Sequence, residues 1–163
     1  MDLGSRRLGP AILLPLLVAA LGCANLSPPD PASLALEHAA AGRANEAAQV
    51  IEEAVAANPR DAELRRVAAR LQAAVGGNSV AIAHLEEAVI LEPNDAEVWA
   101  DLAELERKRE NFADAYVAYR RATELDPEDL RAVSGLALTA DQLGFDEEAR
   151  SAYARWTELA RKK

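Results

Sequence analysis

Residues 96–129 read AEVWADLAELERKRENFADAYVAYRRATELDPED, and this unit sets the fold of the whole chain. Its closing Pro127 stands 34 residues after Pro93, which stands 34 after Pro59; Asp61, Asp95 and Asp129 each follow their proline by two. Working outward from this unit at the same step divides the chain into 28–61, 62–95, 96–129 and 130–163 without a gap. Half of the residues are apolar but only 4% are aromatic, so Ala and Leu carry the apolar content, and both are strong helix formers. Few β-branched clusters appear, and no Asn-Gly or Asp-Gly hairpin signal interrupts this pattern. The expected class is all-α, each unit being a helix, a tight turn and a second helix.

A period of 34 resembles the tetratricopeptide repeat, whose pattern runs W-x2-L-G-x2-Y, then A-x3-F, then P. In 96–129, Trp99 and Leu102 match the first step, with Ala103 for the usual Gly and Glu106 for the usual Tyr. Ala115 and Tyr119 match the second step, Ala122 the small position after it, and Pro127 the last. The unit before carries Ala69, Ala81, Leu85, Ala88 and Pro93 in register, and the first carries Ala35, Ala47, Ile51, Ala54 and Pro59. The last carries Ala137, Ala149 and Tyr153, but has Trp156 where a small residue is expected. The resemblance implies a right-handed α-solenoid of four tandem repeats. Small residues on first helices (35, 69, 103, 137) would meet small residues on second helices (47, 81, 115, 149), and larger ones at 51, 85, 119 and 153 would fill the next layer. One repeat cannot bury its faces alone, so stacking has to supply the core.

Asp61, Asp95 and Asp129 stand where a first helix wants an N-cap. Asn45, Asn78 or Ser79, Asn111 and Asp146 offer the same to the second helices. Gly42, Gly76-Gly77 and Gly144 fall at the turn within the repeat, where positive φ suits glycine; Glu110 holds that place in the third, so a tighter or more strained turn is expected there. Asp30-Pro31 can start a first helix with Asp as cap, about a turn short.

The N-terminal segment has a different logic. Arg6 and Arg7 precede an apolar run from Leu8 to Leu21, shorter than the ~20 residues of a spanning helix and patterned like a secretory signal. Its end, Ala19-Ala20-Leu21-Gly22-Cys23, resembles the lipobox of bacterial lipoproteins, with Ala20 and Leu21 in place of the commonest residues. The resemblance implies a signal peptide over 1–22 and a lipidated Cys23 opening a Pro-rich spacer, 23–31. Two or more acyl chains on one residue hold stably where one is marginal. It also implies a bacterial cell-envelope location; Ala24 after the Cys favours the outer membrane, facing the periplasm. An uncleaved anchor and simple secretion are the alternatives. Cys23 is the sole cysteine, so an internal disulfide is excluded.

No catalytic pattern emerges: the chain lacks a His-x-x-x-His pair, a Gly-rich phosphate loop and a Gly-x-Ser-x-Gly elbow. His84 reads as a partly exposed structural residue, and Glu52-Glu53, Glu86-Glu87 and Glu147-Glu148 as a solvated outer face. A net charge of −9 argues against nucleic acid, which requires Lys and Arg against phosphates. The expectation is a binding scaffold and not an enzyme, with no cofactor and no metal. In the family the first helices line a concave groove. Carried over, that surface holds Arg66, Arg70, Glu97, Asp101, Glu104, Lys108 and Arg131, followed by Ser134, Leu138 and Asp141. Arg66 and Arg70 share a helix face and would suit a carboxylate. Trp156 would either fill space left by an absent fifth repeat or anchor a partner; Arg155, Glu158, Arg161, Lys162 and Lys163 would solubilise that end. The expected partner is a protein or peptide, with membrane attachment through the lipid, and self-association through the last repeat is the alternative.

Overall fold

A computed structural model describes residues 30–162; the signal segment, Cys23 and the spacer up to residue 29 lie outside the described residues. Eight α-helices follow one another: α1 (Pro31–Ala40), α2 (Ala44–Ala57), α3 (Ala62–Ala74), α4 (Asn78–Leu91), α5 (Ala96–Lys108), α6 (Phe112–Leu125), α7 (Leu130–Gln142) and α8 (Asp146–Arg161). They fall two to each 34-residue unit. Each pair packs as an antiparallel hairpin, and each second helix packs on the first helix of the next pair. None is long and apolar enough to cross a membrane.

The aspartates between repeats cap the first helices. Asp61 accepts from the Leu64 amide, Asp95 from Glu97 and Val98, and Asp129 from Arg131. Asp30 caps α1 with Pro31 at its first turn, and α1 has ten residues where the other first helices have 13.

The second helices correct the sequence reading. They begin without a side-chain cap, at Arg43, Gly77, Asn111 and Phe145. The reason lies in the turn. The amides of these four residues bond back to the carbonyls of His38, Gln72, Glu106 and Ala140, while Gly42, Gly76, Glu110 and Gly144 bond to Ala39, Ala73, Arg107 and Asp141. This is the Schellman closure of a helix C-terminus. The residue that completes it also opens the next helix, which leaves no separate capping position. The Asn111 amide side chain turns to the carboxylate of Glu106, 2.8 Å away. Glu110 adopts φ 64°, alone among the described non-glycine residues, as the sequence predicted for the repeat lacking glycine.

The small-residue pairs form the helix crossings: all eight alanines named for them are at most 3% exposed. Ile51, Leu85 and Tyr119 fill the next layer and are buried, whereas Tyr153, on the last described helix, is half-buried. The apolar interior divides into two clusters that share α3 as a wall. One runs from Ala35 to Leu71 and takes Leu64, Val67, Ala68 and Leu71 from α3; the other runs from Ala62 to Ala132 and takes Ala62 and Ala69 from it.

His84 departs from its expected role in degree. It is 9% exposed, and its Nε2 lies 2.9 Å from Glu52 Oε1, which also accepts from Gln72 Nε2 at 2.8 Å. Glu52 is therefore half-buried and joins α2 to α4, while Glu53, Glu86, Glu87, Glu147 and Glu148 are exposed.

Candidate functional site

The first helices α3, α5 and α7 lie side by side, and a row of alternating charges crosses them. On α3, Arg66 donates through Nε to Glu63 at 2.8 Å. Its Nη1 lies buried against Glu97 of α5, a charge contact without hydrogen-bond direction. Arg70 donates from Nη2 to Glu97 at 2.6 Å and from Nε to Asp101 at 3.1 Å. Arg131 of α7 donates to the other oxygen of Asp101 at 2.5 Å. Glu63, Arg66, Glu97, Arg70, Asp101 and Arg131 thus form one continuous chain across three repeats.

Glu63, Glu97 and Arg131 occupy equivalent places, as do Arg70, Glu104 and Leu138. The ion pairs join residues that are not equivalent: Arg66 and Arg70 of α3 meet Glu97 and Asp101 of α5, and Asp101 meets Arg131 of α7. The guanidiniums of Arg66 and Arg70 are consequently already engaged by the chain's own carboxylates, and the side chains of Arg66 and Asp101 are only 15% and 11% exposed. Arg70, Lys108, Arg131 and Leu138 present substantial surface. A cavity of about 280 Å³ lies among Arg70, Asp101, Glu104, Lys108 and Arg131, floored by Leu85 and Leu105. The structure brings five of the seven sequence-selected groove residues around this one hollow, and Arg66 and Glu97 flank it through Arg70.

Glu104 links the groove to the core. It receives three hydrogen bonds from Arg107, contacts Lys108 at 3.6 Å, and accepts the Tyr119 hydroxyl at 2.7 Å. Burial opposes ionisation of Glu104, but the bonds from Arg107 and Tyr119 outweigh it and hold its carboxyl below the ordinary value. At Glu97 burial is likewise outweighed, by Arg70 and Arg66. Burial, and then the bond to Glu104, push the Tyr119 hydroxyl well up. These carboxylates stay charged in the physiological range, and the groove combines fixed charges of both signs with an apolar floor. It can hold an extended polar segment. Nothing in it provides a nucleophile paired with a base, or a group of metal ligands among the described residues.

Trp156 is 42% exposed, so it does not fill the core. The equivalent Ala88 and Ala122 are buried at 0% and 1%, each covered by the repeat that follows.

Sequence reasoning missed the carbonyl at each repeat boundary. Pro59 O accepts from Arg65, Pro93 O from the Trp99 indole at 3.0 Å, and Pro127 O from Arg155 at 2.7 Å. Arg65 and Trp99 occupy equivalent places; Val133 stands there in the last repeat, cannot donate, and Arg155 reaches from α8 instead. The signal was present in the register, at the valine in a tryptophan position.

The family model described as tetratricopeptide repeat matches residues 33–96, 66–116 and 101–162. Comparison with curated proteins finds no match. Among solved structures, the chain is similar to a crystal structure of MamA, with 20% identity and TM-score 0.75 over 81% of this chain and 77% of that one. It is also similar to the MamA RS-1 ArsTM double mutant, with 20% identity and TM-score 0.75 over 85% and 80%. MamA 41-end from Desulfovibrio magneticus RS-1 aligns with 20% identity and TM-score 0.73 over 82% and 77%. At this identity the likeness is one of fold.

Proposed function

The chain belongs to the tetratricopeptide repeat family, a family of protein-interaction scaffolds, and from that premise we propose that it is a membrane-tethered adaptor. In this reading it holds a peptide segment or a subunit of an envelope assembly in the groove of α3, α5 and α7, and it is not an enzyme. The observation that carries the reading is the hollow at Arg70, Lys108 and Arg131, where partly exposed cations lie beside an apolar floor; Leu138, exposed, holds on α7 the place of Arg70 and Glu104. An incoming carboxylate would exchange with Glu97 for Arg70, an exchange of one ion pair for another at little net cost on a solvated face.

The experiment is site-specific photo-crosslinking from position 138 in membranes, with the wild type compared with Arg70→Glu/Arg131→Glu. One discrete adduct that the double substitution removes supports the groove. An adduct pattern unaffected by it rejects the groove as the binding surface. The tether rests on the lipobox resemblance at Cys23. Cys23→Ser should abolish palmitate labelling and release the protein from membranes; persistent labelling would refute lipidation.

Trp156 supports a second reading, in which the last repeat pairs with another copy. A tryptophan 42% exposed at a place that other repeats bury is costly to leave in water. Sedimentation decides: a monomer at micromolar concentration that Trp156→Ala leaves unchanged would dispose of self-association.

A further inference from the structure

Away from the groove, the clefts between successive second helices repeat with the 34-residue period but not with the same chemistry. Where α4, α5 and α6 meet, Trp99, Glu86, Glu106 and Asp114 line the cleft. Where α6, α7 and α8 meet, Val133 replaces Trp99, Arg120 replaces Glu86 and Ala140 replaces Glu106. This second cleft encloses about 250 Å³. Val133, Thr123 and Ala152, all buried, form its floor together with Leu136.

Its rim is cationic in a chain of net charge −9. The bond to Pro127 O fixes the Arg155 guanidinium at the cleft, and among the described residues Arg155 has no ion-pair partner. Arg120 stands over the Tyr116 ring at 5.9 Å, with its side chain 58% exposed and Glu124 no nearer than 3.8 Å. The acid at the rim, Glu148, lies at 3.4 Å from the Tyr116 hydroxyl.

We propose that this cleft is a second binding site, separate from the first-helix groove, for an acidic peptide segment of a protein partner. One branched apolar side chain enters the cavity, and flanking carboxylates meet Arg120 and Arg155. Charge complementarity selects the occupant. The preceding cleft, with three carboxylates and no arginine on its walls, repels the same segment, and so does the long-range field of an acidic protein.

The test is an amide NMR titration of the full chain with an acetylated, amidated pentapeptide, leucine flanked by two glutamates on each side. Its counterpart with four lysines is the control. Signals of Val133, Leu136 and Ala152 should move with the acidic peptide and stay with the basic one. Arg120→Glu and Val133→Trp place in this cleft the residue types its neighbour carries, and each should weaken binding about tenfold or more, Arg120→Glu with melting unchanged. Should Val133→Trp fail to fold, Arg120→Glu decides alone. Binding that survives Arg120→Glu overturns the proposal. So do shifts centred on Arg70 and Asp101, which would assign the peptide to the groove, and shifts produced by phosphatidylglycerol vesicles but not by the peptide, which would assign the cleft to a lipid surface.

Discussion

Gly135 lies so close to the ring of Tyr119 that a Cβ on the glycine would fall 2.2 Å from Cζ and 2.3 Å from Cε1. The tyrosine cannot retreat, being fully buried and tied by its hydroxyl to Glu104. Glycine inside a helix costs about 1 kcal/mol relative to alanine, and here that cost admits the largest side chain of the core. Gly135→Ala should therefore destabilise, by about 1–3 kcal/mol for overpacking less the propensity regained. The urea midpoint measures it, and an unchanged or higher midpoint would contradict the packing described.

Ala115 is fully buried where α5 crosses α6. Ala115→Leu should cost about 1–3 kcal/mol, seen as a lower melting temperature. A melting curve that does not move would mean that the two helices do not meet at this residue.

Glu110 occupies the left-handed region at φ 64°, where a side chain costs about 1–2 kcal/mol. Glycine removes that cost while loosening the unfolded chain by about 0.4–1 kcal/mol. Glu110→Gly should stabilise modestly, and denaturant unfolding gives the sign. A loss of stability would show that the Glu110 side chain makes a contact worth more than the backbone strain.

Stability should depend on acid through Glu97 and Glu104. Both are held below the ordinary 4.5 in the folded chain, so the unfolded chain binds more protons once pH drops. Their contribution is complete above the ordinary value and is lost as pH falls through the lowered folded values. Urea midpoints should decline on acidification through this window, and less steeply in Glu104→Gln. Equal slopes would remove Glu104 from the account.

The Arg70–Asp101–Arg131 bridge joins three helices at a partly exposed surface. Asp101→Asn leaves two guanidiniums facing each other without the anion they share, and should lower the melting temperature more in dilute buffer than in strong salt. A salt-independent loss would point to packing and not to charge.

The period of 34 was enough to locate all eight helices, because Pro59, Pro93 and Pro127 stop one helix and Asp61, Asp95 and Asp129 start the next, both local effects. The turn inside the repeat was legible through Gly42, Gly76 and Gly144, but the mode of entry into the second helix was not. Asn111 and its counterparts in the other repeats look like caps in sequence, and only the three-residue turn shows that backbone amides have already closed the end. The groove was legible as a list of positions. That Arg70 meets Glu97 and Asp101, 27 and 31 residues away, depends on the offset between neighbouring repeats, which sequence spacing does not encode. Register did not decide Trp156 either: it allowed core filling or a partner anchor, and an exposure of 42% removes the first.

The two-faced α3 has a consequence for any shortened form of this protein. Leu64, Val67, Ala68 and Leu71 are sheltered by α1 and α2, so the opening pair is a cover and not a detachable leader. A protease that cut within α2 would bare a greasy strip along α3 while the remaining repeats kept their own interior. The trimmed chain would stay folded but become sticky, its solubility failing before its helices do.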